Sequence, residues 1–342
     1  MKKLVLIFYS FHSLIASFAQ QPCNDEVIMN TKGSWKKLND ANTFADPGFP
    51  KNQFPQANNR IDKMQMLLQA AYPDPNGMEA GWYRSISGQP VVKAGPFPYA
   101  LQSLFLAYHC SYENKIESES ETRKGETGTW LFVWANQLHS WFAEYIKIYI
   151  IQKQPVYLLP KKIGALNGYP LYEGNYNRSG ERHSRAIILT RSGQSPYLPV
   201  TQKQFLKAFL NYNEKRFSKS LDTEEKRIIK KETWIADMKK QYEEDMRPAR
   251  TLLADSLKPE MGQPAILDFD NLLEFKEFST EEKGGRQLVR VNPDYFNMTL
   301  PKYVPQLLIV HWSWDDRKPA NEWRTRTEKN FDFNALKEML DK

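Results

Sequence analysis

Residues 311 to 316, HWSWDD, set a base, a hydroxyl and two carboxylates close together. Alternate residues of a β-strand share a face, so His311, Ser313 and Asp315 would stand together as base, nucleophile and orienting acid of a hydrolytic constellation. The competing reading is a strand that runs out into a polar turn, Asp315-Asp316-Arg317-Lys318-Pro319, with His311 an ordinary sheet residue. The turn is the better reading, because polar triplets arise readily at strand ends.

Two aromatic groups could carry a different chemistry. Trp130 and Trp134 are evenly spaced on one strand face, and Trp82-Tyr83-Arg84 combines two rings with a guanidinium. Either set could present flat apolar surfaces on which sugar rings or peptide side chains stack. Large aromatics are more often buried, so core packing competes with this reading. The histidines beyond the leader, His109, His139, His183 and His311, fall in none of the close spacings that announce zinc. No metal ligand set is expected, and no cofactor.

The stretch ILTRSGQSPYLPVTQKQFL, residues 188 to 206, invites a catalytic reading and resists it. A nucleophile elbow needs Gly-x-Ser-x-Gly, but Gly193-Gln194-Ser195 is followed by Pro196 and Tyr197. A phosphate cradle needs converging N–H groups at a helix start, and Pro196 and Pro199 remove two of them. Thr201 and Gln204 instead form a capping box, with Val200 and Phe205 as the hydrophobic staple that fixes the entry of a helix.

The elements that must position these residues follow from periodicity. Ile61, Met64, Leu67, Leu68 and Ala71 share one helical face, and Pro73 stops that helix. Strands are predicted at 104–112, where a helix starting after Pro98 also fits, and at 129–138, 155–160, 185–190, 286–291 and 305–314, the last nearly continuous in apolar residues, as a central strand would be. Asn167-Gly168 marks a hairpin, since both residues tolerate positive φ. Residues 221 to 257 read as a long amphipathic helix opened by a second capping box, Asp222 and Glu225, and broken or kinked at Pro248. FNALKEMLDK ends the chain as a short helix. Without regular βαβ alternation, this order predicts an α+β fold: a mostly antiparallel sheet with a long amphipathic helical segment, 201–257, inserted before the last strands.

The first residues, MKKLVLIFYSFHSLIASFA, join two lysines, an apolar run and Ser17-Phe18-Ala19, which predicts a signal peptide over 1–19 with cleavage after Ala19. An irregular N-terminal arm is expected over 20–55 and one α+β domain over 56–342. The formal net charge of +7 falls to +5 without Lys2 and Lys3, and 25% of residues are charged with both signs mixed. That mild basicity, without any nucleic-acid-binding motif, argues against nucleic acid as a partner. Cys23 and Cys110 are the two cysteines, and an oxidising compartment favours their pairing, although one buried and one exposed thiol remains the alternative.

The segments GMEAGWYRSISG, GETGTWLFVWANQ, PKKIGALNGYPLYEG, SPYLPVTQKQFL and VNPDYFNMTLPKYVPQLLIVHW together resemble a family of uncharacterised exported proteins of Gram-negative bacteria, over about two thirds of the chain. The resemblance implies a periplasmic or secreted location and carries no activity or ligand with it. The residues then point to a non-catalytic binding protein of the cell envelope, with polysaccharide or an envelope protein as ligand. The alternative is a hydrolase whose site is assembled from scattered His, Asp and Glu.

Overall fold

A computed structural model describes residues 23–41, 50–86, 90, 92–93, 95–118, 128–138, 142–174, 183–191, 193–226, 232–255 and 258–342. The expected signal peptide and its cleavage site, most of the polar stretch 116–128, and Ile228 lie outside the described residues. In chain order the strands are β1 (Trp35–Lys37), β2 (Met78–Ser85), β3 (Tyr99–Cys110), β4 (Ile116–Ser118), β5 (Thr129–Ala135), β6 (Glu144–Ile151) and β7 (Gln154–Leu158). They continue with β8 (Lys162–Leu166), β9 (Tyr169–Glu173), β10 (His183–Leu189), β11 (Tyr197–Pro199), β12 (Ile266–Leu267), β13 (Arg286–Val291) and β14 (Leu308–Trp314). The helices are α1 (Asp25–Asn30), α2 (Phe54–Ala71), α3 (Gln202–Glu225), α4 (Glu232–Ala254), α5 (Lys318–Asn330) and α6 (Phe333–Lys337).

The fold is α+β. Among the described residues the larger sheet has nine strands, in the order β1-β2-β3-β5-β14-β10-β9-β8 with β4 on β3. All its pairs are antiparallel except β1 with β2. β14 is buried along its whole length between β5 and β10, which is why its sequence is almost uninterrupted in apolar residues. Asn167 and Gly168 close the β8–β9 hairpin with φ of 51° and 82°, as a type I′ turn requires.

Alternation along these strands divides the interior into layers. Leu131, Val133, Val310 and Trp312 face α2, α5 and α6, where they meet Ile61, Met64, Leu68, Trp323 and Leu336. Phe132, Trp134, Ala186 and Ile309 face the other way, against Val289, Val291, Tyr295 and Phe142. Val289 and Val291 belong to the second sheet, ordered β11-β13-β7-β6 with β12 on β13. Its far side packs on the roots of α3 and α4 through Val156, Leu158, Leu288, Phe205, Phe209 and Met246.

Several expectations for the helical parts need correction. The stretch 20–55 is not irregular throughout, since Asn24 caps α1 through a bond from Val27 N and β1 pairs in parallel with β2. Asp222 opens no helix; it lies in the last turn of α3, where it accepts from Lys226 Nζ at 2.7 Å. α4 runs on through Pro248 to Ala254 instead of breaking there. The segment after Asp316 is more than an exit turn, because Pro319 sits in the first turn of α5, where its missing N–H costs nothing.

Candidate functional site

Trp130, Phe132 and Trp134 project from one side of β5 and stack in sequence, with ring centroids 5.5 Å and 5.1 Å apart and planes within 9° of parallel. The even spacing seen in the sequence is therefore real, but its consequence differs. β5 is an interior strand covered on both faces, so Trp134 is only 3% exposed and Trp130 half-buried. Trp134 is a core residue, and the two indoles do not form an open platform.

His311 lies on the same face, paired across the strands with Phe132 and Ala186, and its ring sits 5.6 Å from that of Trp134. It is fully buried. Ser313 shares the face, as the alternation predicts, and its hydroxyl donates to the Gly128 carbonyl at 3.1 Å. Asp315 does not join them. Its carboxylate accepts from the Arg317 backbone N–H at 3.1 Å and from Arg317 Nε at 3.0 Å, while Asp316 pairs with the exposed His183 at 2.8 Å. The proposed constellation is thus divided at the strand end, where the chain turns into α5.

A hydroxyl that the sequence reading missed takes a place beside His311. Ser184 pairs directly with Ser313 across β10 and β14 and is 3% exposed. A Cβ built on Gly174 would meet Ser184 Oγ at 2.2 Å and His311 Nε2 at 2.8 Å, so both atoms converge under that glycine. Gly174 N–H donates to the Ser184 carbonyl at 3.0 Å, which holds the crossing in place. No local motif could reveal this cluster, because its members come from three separate elements.

Trp82, Tyr83 and Arg84 fail as a single surface for the same reason that β-strands alternate. Trp82 and Arg84 face the helices; Lys37 Nζ lies 5.5 Å from the Trp82 ring, and Arg84 grips Asp62 of α2 through Nε and Nη2 at 2.8 Å and 2.6 Å. Tyr83 faces the opposite side and donates to Gln102 Oε1 at 2.7 Å. Arg84 is a tether between sheet and helix.

A larger open groove lies elsewhere, on the α3–α4 hairpin. α3 has 24 residues, about 36 Å of helix, yet its buried residues end at Asn213. α4 buries only Met246 and Ala249. Beyond their roots the two helices pack on each other, with Phe217 stacked on Tyr242 at 4.2 Å and 9°. Along this hairpin runs a groove of about 310 Å³ lined by Asn213, Phe217, Met238, Tyr242, Met246 and Leu273, with Arg216, Asp245 and Glu274 also at its walls. Leu273 is 53% exposed and Trp234, further out on α4, 55%. Periodicity marked the apolar stripe of α4 but could not show that its partner helix covers so little of it.

Among the described residues no group of three His, Cys, Asp or Glu could hold a metal ion, and no helix is long and apolar enough to cross a membrane. Cys23 and Cys110 are bonded, with Cα atoms 5.6 Å apart, and Asn114 Oδ1 accepts from Cys23 N at 2.7 Å. A cysteine pair at disulfide distance is consistent with a place outside the cytoplasm. Comparisons of the chain with protein-family models, with curated proteins and with solved structures find no match.

Proposed function

We propose that this is an exported, non-catalytic binding protein of the cell envelope, periplasmic or secreted, that holds a protein partner along the α3–α4 hairpin. The observation that carries the reading is the groove between Phe217, Met238, Tyr242, Met246 and Leu273, whose methionine and aromatic walls are interleaved with Asn213, Arg216, Ser220, Gln241, Asp245 and Glu274. Methionine adapts to irregular surfaces and aromatics supply contact area at small entropic cost, the composition that protein interfaces favour. Arg216, Asp245 and Glu274 beside the trough would orient a partner whose apolar side chain is flanked by charges. A protein ligand fits this surface better than polysaccharide, since Trp134, one of the two indoles that would have stacked on sugars, is buried in the core.

The test compares wild type with Met238→Asp and Leu273→Asp in retention of envelope proteins and of envelope polysaccharide, after each variant is shown to fold. An envelope protein held by wild type and lost from both variants is the expected result. Identical retention by all three would remove the hairpin from consideration.

A second reading, a hydrolase, is favoured by the convergence of Ser184 Oγ and His311 Nε2 beneath Gly174. A serine beside a histidine is the core of an acyl-transfer site. Hydrolysis of ester or peptide substrates abolished by His311→Ala would establish it over the binding reading.

A further inference from the structure

A small cleft opens where the two sheets meet, away from both the hairpin and His311. Its volume is about 110 Å³, and it takes one wall from each sheet: Tyr172 of β9 with Lys161 and Lys162 at the start of β8, and Tyr197 of β11 with Arg286 and Gln287 of β13. Three cations thus face one acid, Glu281, on the rim. We propose that this cleft is a binding site for the oxyanion group of a small ligand, a carboxylate or a phosphate.

The cations are placed in different ways. Arg286 is fixed, donating from Nε to the Leu159 carbonyl at 2.7 Å and from Nη2 to the Leu158 carbonyl at 3.2 Å, so its charge stays at the cleft floor. The Lys161 and Lys162 side chains are exposed and make no ion pair with any described residue, which leaves them able to swing onto an incoming anion. Glu281 lies on the rim, on a tight turn in which Gly284 N donates to the Glu281 carbonyl and Gly285 N to the Thr280 carbonyl, and its charge reaches the Tyr172 hydroxyl. It subtracts from the positive field but does not cancel it.

The tyrosines supply the orienting hydrogen bonds. Burial raises the pKa of both, so both hydroxyls keep their protons at neutral pH. The two hydroxyls interact with one another across the cleft, Tyr172 from one sheet and Tyr197 from the other. Two hydroxyls that share one hydrogen bond use one proton between them, so the other O–H of the pair is the donor left for a ligand oxygen. A preset O–H, a fixed guanidinium and two mobile ammonium groups around a space for a few heavy atoms match an oxyanion in size and charge. Because the walls belong to different sheets, an anion here would also tie the two sheets together. The inference stands independently of the hairpin reading.

Calorimetric titration of the disulfide-bonded mature chain with inorganic phosphate, and separately with glucuronate, at constant ionic strength in chloride, tests the site. Saturable binding in the millimolar range or tighter is expected for at least one of them, and the responding anion identifies the group as phosphate or carboxylate. Lys161→Ala combined with Lys162→Ala, and Tyr172→Phe, should each weaken binding about tenfold while Lys203→Ala on α3 leaves it unchanged. Saturable binding of neither anion, or equal affinity in wild type and the Lys161→Ala, Lys162→Ala variant, would overturn the proposal.

Discussion

Gly174 crosses His311 with no room for a side chain: a Cβ there would lie 2.8 Å from Nε2, and 2.7 Å from the Cβ of Ser184. The restraint is steric and local to the buried cluster. Gly174→Ala should destabilise the protein by about 1–3 kcal/mol, as an added methyl does in a filled interior. Ser184→Gly placed on top of it should recover part of the loss, because the nearest clash, with Ser184 Oγ at 2.2 Å, is removed. Denaturant unfolding of the two single variants and the double variant measures the coupling. Additive losses would show that the crossing is looser than described.

The disulfide joins residues 87 apart in sequence, so it constrains a long loop of the unfolded chain. The chain-entropy relation gives about 4–5 kcal/mol for a loop of this size. Cys23→Ala with Cys110→Ala should lower stability by up to that amount and leave the secondary structure in place, since the bond ties the segment before α1 to the end of β3, beyond the residues of β3 that pair with β2 and β5. Circular dichroism melts with and without reductant check this. An unchanged melting temperature would mean that the bond restrains little.

Alkaline pH offers a reading of the core. Burial pushes the Tyr72 hydroxyl up to about 12 and raises Tyr99 and Tyr149 further. Their unfolded values are about 10, so the folded state holds these protons more tightly. Stability is therefore level below pH about 10 and falls as pH climbs toward about 12, where unfolded tyrosines ionise and folded ones do not. Tyrosinate absorbance and unfolding should rise together over that range. Smooth ionisation of all tyrosines near pH 10 with the fold intact would contradict their burial.

What the sequence disclosed depended on how far apart the cooperating residues are. Thr201 and Gln204 are three residues apart, and both bonds of their capping box form, Thr201 N to Gln204 Oε1 at 3.0 Å and Gln204 N to Thr201 Oγ1 at 3.2 Å. The Asn167-Gly168 turn and the central β14 were legible for the same reason, being set by neighbours and by the local apolar run. The same pattern misled at Asp222 and Glu225, because an acid and another acid three residues on fit the end of a charged helix as well as its start. Helix α5 was missed because a polar run ending in proline, read as an exit turn, also suits the first turn of a helix. The meeting of Gly174, Ser184 and His311, and that of Tyr172 with Tyr197, depend on sheet topology, which no spacing in the chain encodes.

The two tryptophans Trp134 and Trp234 separate core from surface most directly. Trp134 is 3% exposed and lies against Phe132 and His311, whereas Trp234 is 55% exposed on the outer part of α4. Trp134→Ala should cost about 3–5 kcal/mol, the transfer term of a large ring plus the cavity it leaves. Trp234→Ala should change stability by no more than about 0.5 kcal/mol, as surface substitutions do. If the hairpin is the contact surface, the folded Trp234→Ala variant should nonetheless hold an envelope protein partner less well, because exposed indoles often anchor interfaces. Thermal unfolding combined with retention of that partner distinguishes the roles. A large stability loss from Trp234→Ala would place that ring in a packed interior, and undiminished retention would take it out of the contact surface.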